Sequence, residues 1–451
     1  MTDKKDQTIA IIGAGLTGCF LSILLAERGY KVEIYERLSR EDVLDENSKR
    51  SYNITFRTYG IKMLQQAGVW DELQPYFLPL KGAYTQLSKN SKPIVSLITD
   101  KNQLYLSVSR SDLLKVLIRQ MSKHPLITAK FESSLLSIDR RKKTFIVQNE
   151  KSKIIKTVSC TVIIGADGAN SLVRTFIQQG QNTNYIQEYS SGGYKQFTIS
   201  KKEVETLSIR NDLAYTWSAD NKFILAFPNL NGSLSSLIIY PNDKSALLAL
   251  STQNSLKKLI SNEFPHLVPI QDSIIQQILE NPVGSFVTIH TDPWYYKDFI
   301  TLVGDSAHGF YPFFGQGTTA GFSDSMQLVK FIDKFGPDWE KIFTQYQKIQ
   351  KRHMDSLGEL SKQALKIYAR NKRADFDVIY NKLEEVGHHF FPEHIKPPVF
   401  QQVTDNPEKT ADYVDTHDKQ RRMAKVLGIS LLVLLMTGSV KIIEKLDKAI
   451  K

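Results

Sequence analysis

Three clusters of glycine and acid, far apart in the chain, hold the residues whose types and spacing could do chemistry. The first is Gly13-x-Gly15-x-x-Gly18, with Leu16 and Thr17 between the glycines and Glu36 and Arg37 further on. The first glycine permits a tight turn, the second lets a pyrophosphate approach the backbone, and the third lets a helix pack closely on a strand. The helix N-terminus then offers unpaired N–H groups to the phosphates, and Glu36 can accept hydrogen bonds from a ribose. The second cluster is Gly165-Ala166-Asp167-Gly168, followed by Ser171 and Arg174. Alone it reads equally well as an ordinary turn into a helix, with Ser171 capping and Arg174 solvated. The third runs from Gly304-Asp305 through His308, Pro312, Phe313, Gly315, Gln316 and Gly317 to Thr318 and Thr319. Asp305 at a strand end can hold a ribityl chain. Backbone N–H groups of Gly315 to Ala320 can face a ring edge where negative charge accumulates on reduction. Pro312 and Phe313 make an apolar wall and, with Gln316, are the candidate catalytic positions. His308 is read as structural. The three together specify bound FAD.

These residues need elements to position them. Ile9 to Ile12 is a continuous apolar strand, a helix through Leu21, Leu24 and Leu25 stops at Gly29, and Lys31 to Glu36 alternates as a second strand. That is a βαβ unit. Arg110 to Met121 reads as a helix capped by Ser111 or a neighbour. Ser159 to Gly165 reads as one apolar strand, and Phe299 to Val303 as another of the same parallel type. From about Gly180 to Ile289 the pattern turns strand-rich, with Lys222 to Pro228 and Leu234 to Tyr240 as examples. The fold class is therefore α/β: a Rossmann-like FAD-binding domain with an inserted, mainly antiparallel sheet, then a helical C-terminal region and an apolar tail. The expected division is 1–75, 101–178 and 291–335 for the FAD-binding domain and 76–100 and 179–290 for the substrate-binding sheet. Residues 336–417 form the helical region and 418–451 the tail.

Bulk properties narrow the class. An apolar fraction of 41% with 23% charged residues suits a globular chain. The net charge of +11 raises nucleic acid as a partner, but the basic residues are scattered and no basic, aromatic-interleaved module occurs, so no nucleic acid is expected. Two cysteines, Cys19 and Cys160, make neither a disulfide framework nor a metal quartet, and no metal is expected. The N-terminus lacks an apolar signal core, which suits a cytoplasmic body. Lys419, Arg421, Arg422 and Lys425 precede the uncharged run Val426 to Val440. This pairing points to a membrane surface as a partner of the tail. Oligomeric state is not readable.

The motifs in this order resemble the single-component flavin hydroxylases, and among them the kynurenine 3-monooxygenase family. Pro312-Phe313-Phe314-Gly315-Gln316-Gly317 and Tyr105-Leu106-Ser107-Val108-Ser109-Arg110 carry the resemblance most specifically. It implies an FAD-dependent monooxygenase that takes NADPH or NADH as a transient co-substrate. With O2 it would hydroxylate a small aromatic substrate through a flavin C4a-hydroperoxide, L-kynurenine or a close analogue being the implied substrate. It also implies that Arg110, Leu135 and Thr55 touch the flavin, and that Tyr105 and Tyr413 touch the substrate. The family's carboxylate-binding arginine falls on or near Ala83, with Lys81 or Arg57 as substitutes. A family asparagine falls near Ala364, and a Met-Asn pair is Thr318-Thr319 here. These departures keep other readings open: a hydroxylase of another aromatic acid, phenol or polyketide, a flavin reductase or oxidase, or a catalytically idle membrane-tethered flavoprotein.

Overall fold

The computed structural model describes residues 6–44, 53–98, 103–312, 315–368, 384, 387, 388 and 390–423. At its centre is a six-stranded sheet in the order Tyr295–Tyr296, Ile300–Leu302, Val162–Gly165, Thr8–Ile12, Lys31–Tyr35, Ile127–Lys130. All its pairings are parallel except the edge pair Tyr295–Tyr296 with Ile300–Leu302. Ile9, Ala10 and Ile11 are fully buried because helices or strands cover both faces, which is why this strand is apolar without alternation. Helix Leu16–Ala26 packs against helices Arg110–Lys123 and Gly317–Phe335, with Phe20 stacked on Phe322 at 4.1 Å.

The inserted sheet has eight strands, in the order His308–Gly309, Gly284–Asp292, Asn184–Ile199, Leu234–Tyr240, Lys222–Pro228, Leu213–Ala219, Gly82–Gln86, Ile94–Leu97. Strand alternation gives it two different faces. Phe197, Tyr215, Ala226 and Ile238 point to a second core beneath helices Gln253–Glu263 and Gln271–Glu280. Their alternating neighbours face the FAD-type sheet. A small third sheet, Asn53–Arg57 with Tyr105–Ser109 and Leu78–Pro79, lies between the two.

Two sequence expectations change here. Ser159 to Gly165 is not one strand. Ile155–Ser159 belongs to a separate antiparallel sheet with Thr144–Asn149 and Ser133–Asp139, and Val162–Gly165 joins the parallel sheet. The chain changes sheets at Cys160-Thr161, where Thr161 N–H bonds to the Thr8 carbonyl. The cap of helix Arg110–Lys123 is Ser109, whose hydroxyl accepts from the Asp112 N–H, and Ser111 lies inside the helix.

No helix among the described residues is long and apolar enough to cross a membrane. Lys425 and the run Val426 to Val440 lie outside the described residues.

Candidate functional site

The first motif forms a turn that only glycine permits at two of its three positions. Gly13 has φ +104°, and a Cβ there would overlap the Ala166 carbonyl. A Cβ on Gly18 would overlap the Gly13 carbonyl oxygen. Gly15 differs: its φ of −75° is open to any residue, and no protein atom lies within 4 Å of where its Cβ would be. The space in front of Gly15 adjoins the start of helix Leu16–Ala26, which has no side-chain cap and no acid in its first turn. Its first N–H groups therefore carry an unanswered partial positive charge, as an anion site requires. Glu36 closes this end, its carboxylate accepting the Ala14 N–H at 2.9 Å and the Leu38 N–H at 3.0 Å. Arg37 is exposed, and Leu135 is buried in the main core.

The second and third motifs converge on the first. Thr17 fits between two glycines: a Cβ on Gly304 would come within 3.0 Å of its hydroxyl oxygen, and one on Gly321 would overlap it. Asp167 lies beneath Gly13, and its carboxylate accepts from the Ser171 hydroxyl (2.5 Å) and from the Leu172 and Val173 N–H groups. Ser171 caps helix Leu172–Gln178. Arg174 is not solvated. It is 4% exposed and donates to the Ser306 carbonyl at 2.9 Å and the Ala169 carbonyl at 2.6 Å, tying the second motif to the third. The residue-level reading missed this clasp, because an arginine one turn into a helix carries no mark of what it will face.

Asp305 opens onto a cavity of about 850 Å³ that the third motif shares with the inserted sheet. Its side chain is exposed to that space, and the protein packed around it raises its carboxyl above the ordinary 3.8, partly offset by His308 and Arg110. A raised folded value means that the folded state holds the proton longer, so this group lowers stability as pH rises from about 3.8 through that value. Asp305→Asn is therefore expected to melt higher than the native chain at pH 7 in flavin-free form and to lose that advantage below pH ~4. Calorimetry across pH checks this.

His308 is buried, its Nε2 donating to Asp324 at 2.6 Å and its ring stacked on Phe310. It faces away from chemistry, into the support of the turn. Helix Gly317–Phe335 begins at Gln316, again without a side-chain cap or a first-turn acid. Gly315, Gly317 and Thr318 line the cavity, while Thr319 is buried behind them. Gln316 is buried, and its Oε1 has no hydrogen-bond partner. A Cβ on Gly315 (φ +63°) would stand 2.8 Å from the Thr55 hydroxyl oxygen, so the loop and the small sheet meet without a gap.

The cavity thus gathers Thr55, Tyr105, Asp305, Pro312, Gly315, Gly317 and Thr318. Arg110 starts its helix close enough to Asp305 to pull that carboxyl downward. Phe313 lies outside the described residues. Two substrate expectations need correction. Lys81 does not reach the cavity: it precedes strand Gly82–Gln86, outside the alternation that puts Ala83 and Thr85 on the cavity face, and pairs with Asp212 at 3.1 Å on the surface, its side chain 72% exposed. Tyr413 packs against the main core beside Asp405 and Asp412, and it is not a cavity residue. Arg57 lies flat on the Tyr105 ring, 3.8 Å from its centre.

These features fit FAD: one uncapped helix start adjoins open space at Gly15 with Glu36 beside it, and another opens on the cavity with Asp305. Among the described residues no group of His, Cys, Asp and Glu could hold a metal ion.

Comparison with known proteins agrees with the geometry. The FAD binding domain family model matches residues 6–335. A kynurenine 3-monooxygenase of Christiangramia forsetii is 30% identical over 424 residues, covering 93% of each chain. Kynurenine 3-monooxygenases of Legionella pneumophila (30% identical, 78% of each chain) and Dictyostelium discoideum (28%, 79% of each) are also similar. Among solved structures, 2-methyl-3-hydroxypyridine-5-carboxylic acid oxygenase superposes with a TM-score of 0.66 at 19% identity, covering 81% of this chain and 96% of that one. PqsL of P. aeruginosa, solved with 2-aminobenzoylacetate, does so with 0.67 at 14% identity, covering 82% and 98%. These structural likenesses speak for the fold.

Proposed function

We infer the function from one premise: the chain belongs to the family of FAD-binding aromatic hydroxylases that includes kynurenine 3-monooxygenase. It is an FAD-dependent monooxygenase that draws reducing equivalents from NAD(P)H and inserts oxygen from O2 into an aromatic substrate. L-kynurenine or a close analogue is the first substrate to test, because that is what the relatives are named for.

FAD supplies the redox and oxygen chemistry when bound. The chain's residues position and enclose it. Gly15 leaves room for the pyrophosphate, the start of helix Leu16–Ala26 attracts it, and Glu36 takes the adenosine ribose. Asp305 takes the ribityl chain. The N–H groups at the start of helix Gly317–Phe335 would serve the edge of the ring that gathers charge on reduction. Pro312 and the inserted sheet exclude water above the cavity, which protects the reacting atoms from unproductive hydrolysis and leakage. The observation that carries the reading is the pair of uncapped, acid-free helix starts, one beside the open space at Gly15 and one at the cavity.

The test is isotopic. Purified yellow protein given NADPH, 18O-labelled dioxygen and L-kynurenine or its analogues is expected to form a product carrying one labelled oxygen. NADPH oxidation that yields only peroxide with every aromatic offered would sink the hydroxylase reading.

The tail is proposed to hold the enzyme at a membrane surface. Lys419 and Arg422 are exposed on the helix over 410–423, just ahead of the apolar run. Flotation with anionic vesicles is expected to carry the full chain and not one ending at Asp418, while both remain yellow. A truncated chain that floats equally well shows that the tail does no anchoring.

A further inference from the structure

The wall that the inserted sheet turns toward the flavin side is polar but carries no positive charge. Register fixes its composition. Ala83 pairs with Ala214, Thr85 with Thr216, Thr216 with Leu225, and Leu225 with Leu237, which pairs in turn with Gln196. Cross-strand partners share a face, so Thr85, Thr216 and Gln196 present two hydroxyls and an amide along one row of the cavity, with Leu225 and Leu237 between them. The small sheet opposite adds Ser107 and Ser109, polar but already bonded within the protein, Ser107 to Pro228 and Asn53, and Ser109 to Ser111 and the Asp112 N–H. Among the described residues, no lysine, arginine or histidine lines this space, and its charged members are the acids Asp112 and Asp305. Asp112 already has a cation, Lys115 at 3.9 Å.

We propose, resting on the hydroxylase reading above, that the cavity selects an aromatic substrate whose recognised end is an uncharged hydrogen-bonding group, a hydroxyl, ketone or amide, and discriminates against a free carboxylate. With FAD answering the helix start at Gly317, a carboxylate taken from water into this space would meet the neutral dipoles of the wall and two acids. A buried charge without a partner is strongly unfavourable, whereas a neutral polar group needs only the hydrogen bonds that the wall offers. Ala83 is central to the selection, because it occupies the cavity face where a longer cationic side chain would reach an anionic substrate. Two arginines stand beyond the lining: Arg110, between the lining residues Ser109 and Ser111, already answers Asp305, and Arg57 is the other. It is stacked on Tyr105 and felt by Asp405, whose carboxyl it lowers against the effect of burial, so it already answers an acid. Its Nε, buried without a hydrogen-bond partner, is the group through which the proposal can fail.

Two matched ligand pairs decide the matter. L-kynurenine and its carboxamide differ only in the carboxylate. So do the same two molecules lacking the α-amino group, which remove the ammonium that Asp112 and Asp305 would attract. Both pairs can be titrated against the FAD-loaded full chain by the change in flavin absorbance, and the ratio must hold in both. The carboxamide is expected to bind at least tenfold more tightly. Ala83→Arg is expected to shift the ratio at least tenfold toward L-kynurenine, and Arg57→Met to leave it unchanged. Equal or tighter binding of L-kynurenine to the native protein overturns the proposal, and loss of that binding in Arg57→Met would identify Arg57 as the anchor. The native pair is decisive even if Ala83→Arg does not fold. Failure of the hydroxylase reading looks different: neither ligand would yield oxygenated product, while the ratio of dissociation constants would still judge the wall.

Discussion

Gly15→Ala is expected to fold with an unchanged melting temperature in flavin-free form and to bind FAD at least 100-fold more weakly, whereas Gly18→Ala loses both stability and flavin. The two substitutions add the same methyl group three residues apart. At Gly15 the backbone is extended and the methyl group enters open space, so neither strain nor a clash opposes folding. That space is where the pyrophosphate must meet the start of the helix. Filling it pushes the phosphates from the N–H groups and weakens charge-assisted bonds, and a 100-fold loss corresponds to about 2.7 kcal/mol. At Gly18 the methyl group meets the Gly13 carbonyl oxygen, a backbone atom that cannot move without opening the turn. Overpacking of this kind costs typically ~1–3 kcal/mol or more. Calorimetry of the flavin-free proteins and FAD titration by fluorescence quenching separate the two effects. Equal melting losses in both variants would mean that Gly15 is a packing glycine, and the pyrophosphate site would have to lie elsewhere.

The contrast between these glycines shows what the sequence could tell. The spacing Gly13-x-Gly15-x-x-Gly18 is legible because each glycine answers a local demand, a turn or a close approach, within one βαβ unit. The strands Lys222–Pro228 and Leu234–Tyr240 are legible for the same reason, since alternation is a local property. Which face of those strands sees the flavin is not local. It depends on the register between Gln196 and Leu237 and between Thr85 and Thr216, residues separated by dozens of positions along the chain. Lys81 stands just before strand Gly82–Gln86, and its pairing with Asp212, a residue far along the chain, draws it to the surface. Helices Gln253–Glu263 and Gln271–Glu280 escaped notice because the surrounding strands dominated the pattern. Arg174 was misjudged because its two carbonyl partners lie in different motifs.

Asp324 lies nineteen positions after Asp305 and was invisible as a site residue, yet its removal is expected to be the most damaging side-chain change outside the glycines. Its carboxylate is fully buried and accepts the Gly304 N–H at 2.6 Å, His308 Nε2 at 2.6 Å and Gln350 Nε2 at 2.9 Å. Asp324→Ala leaves a buried backbone donor, an imidazole and an amide without their shared acceptor. Breaking a buried charged network by deleting one partner costs about 3–5 kcal/mol. The turn at Gly304 (φ +62°) is held by that first bond, and Asp305 is the next residue, so flavin affinity should fall along with stability. Asp324→Asn keeps one acceptor and the shape, and should recover part of both. Gln350→Met removes the amide that donates to Asp324 and Ser323 and should lose about 2 kcal/mol while leaving FAD binding intact. Urea unfolding of the flavin-free proteins gives the stability terms, and FAD titration gives the rest. If Asp324→Ala binds FAD normally despite its lost stability, the Gly304 turn is held by the Arg174 clasp on Ser306, and Asp324 serves the core alone.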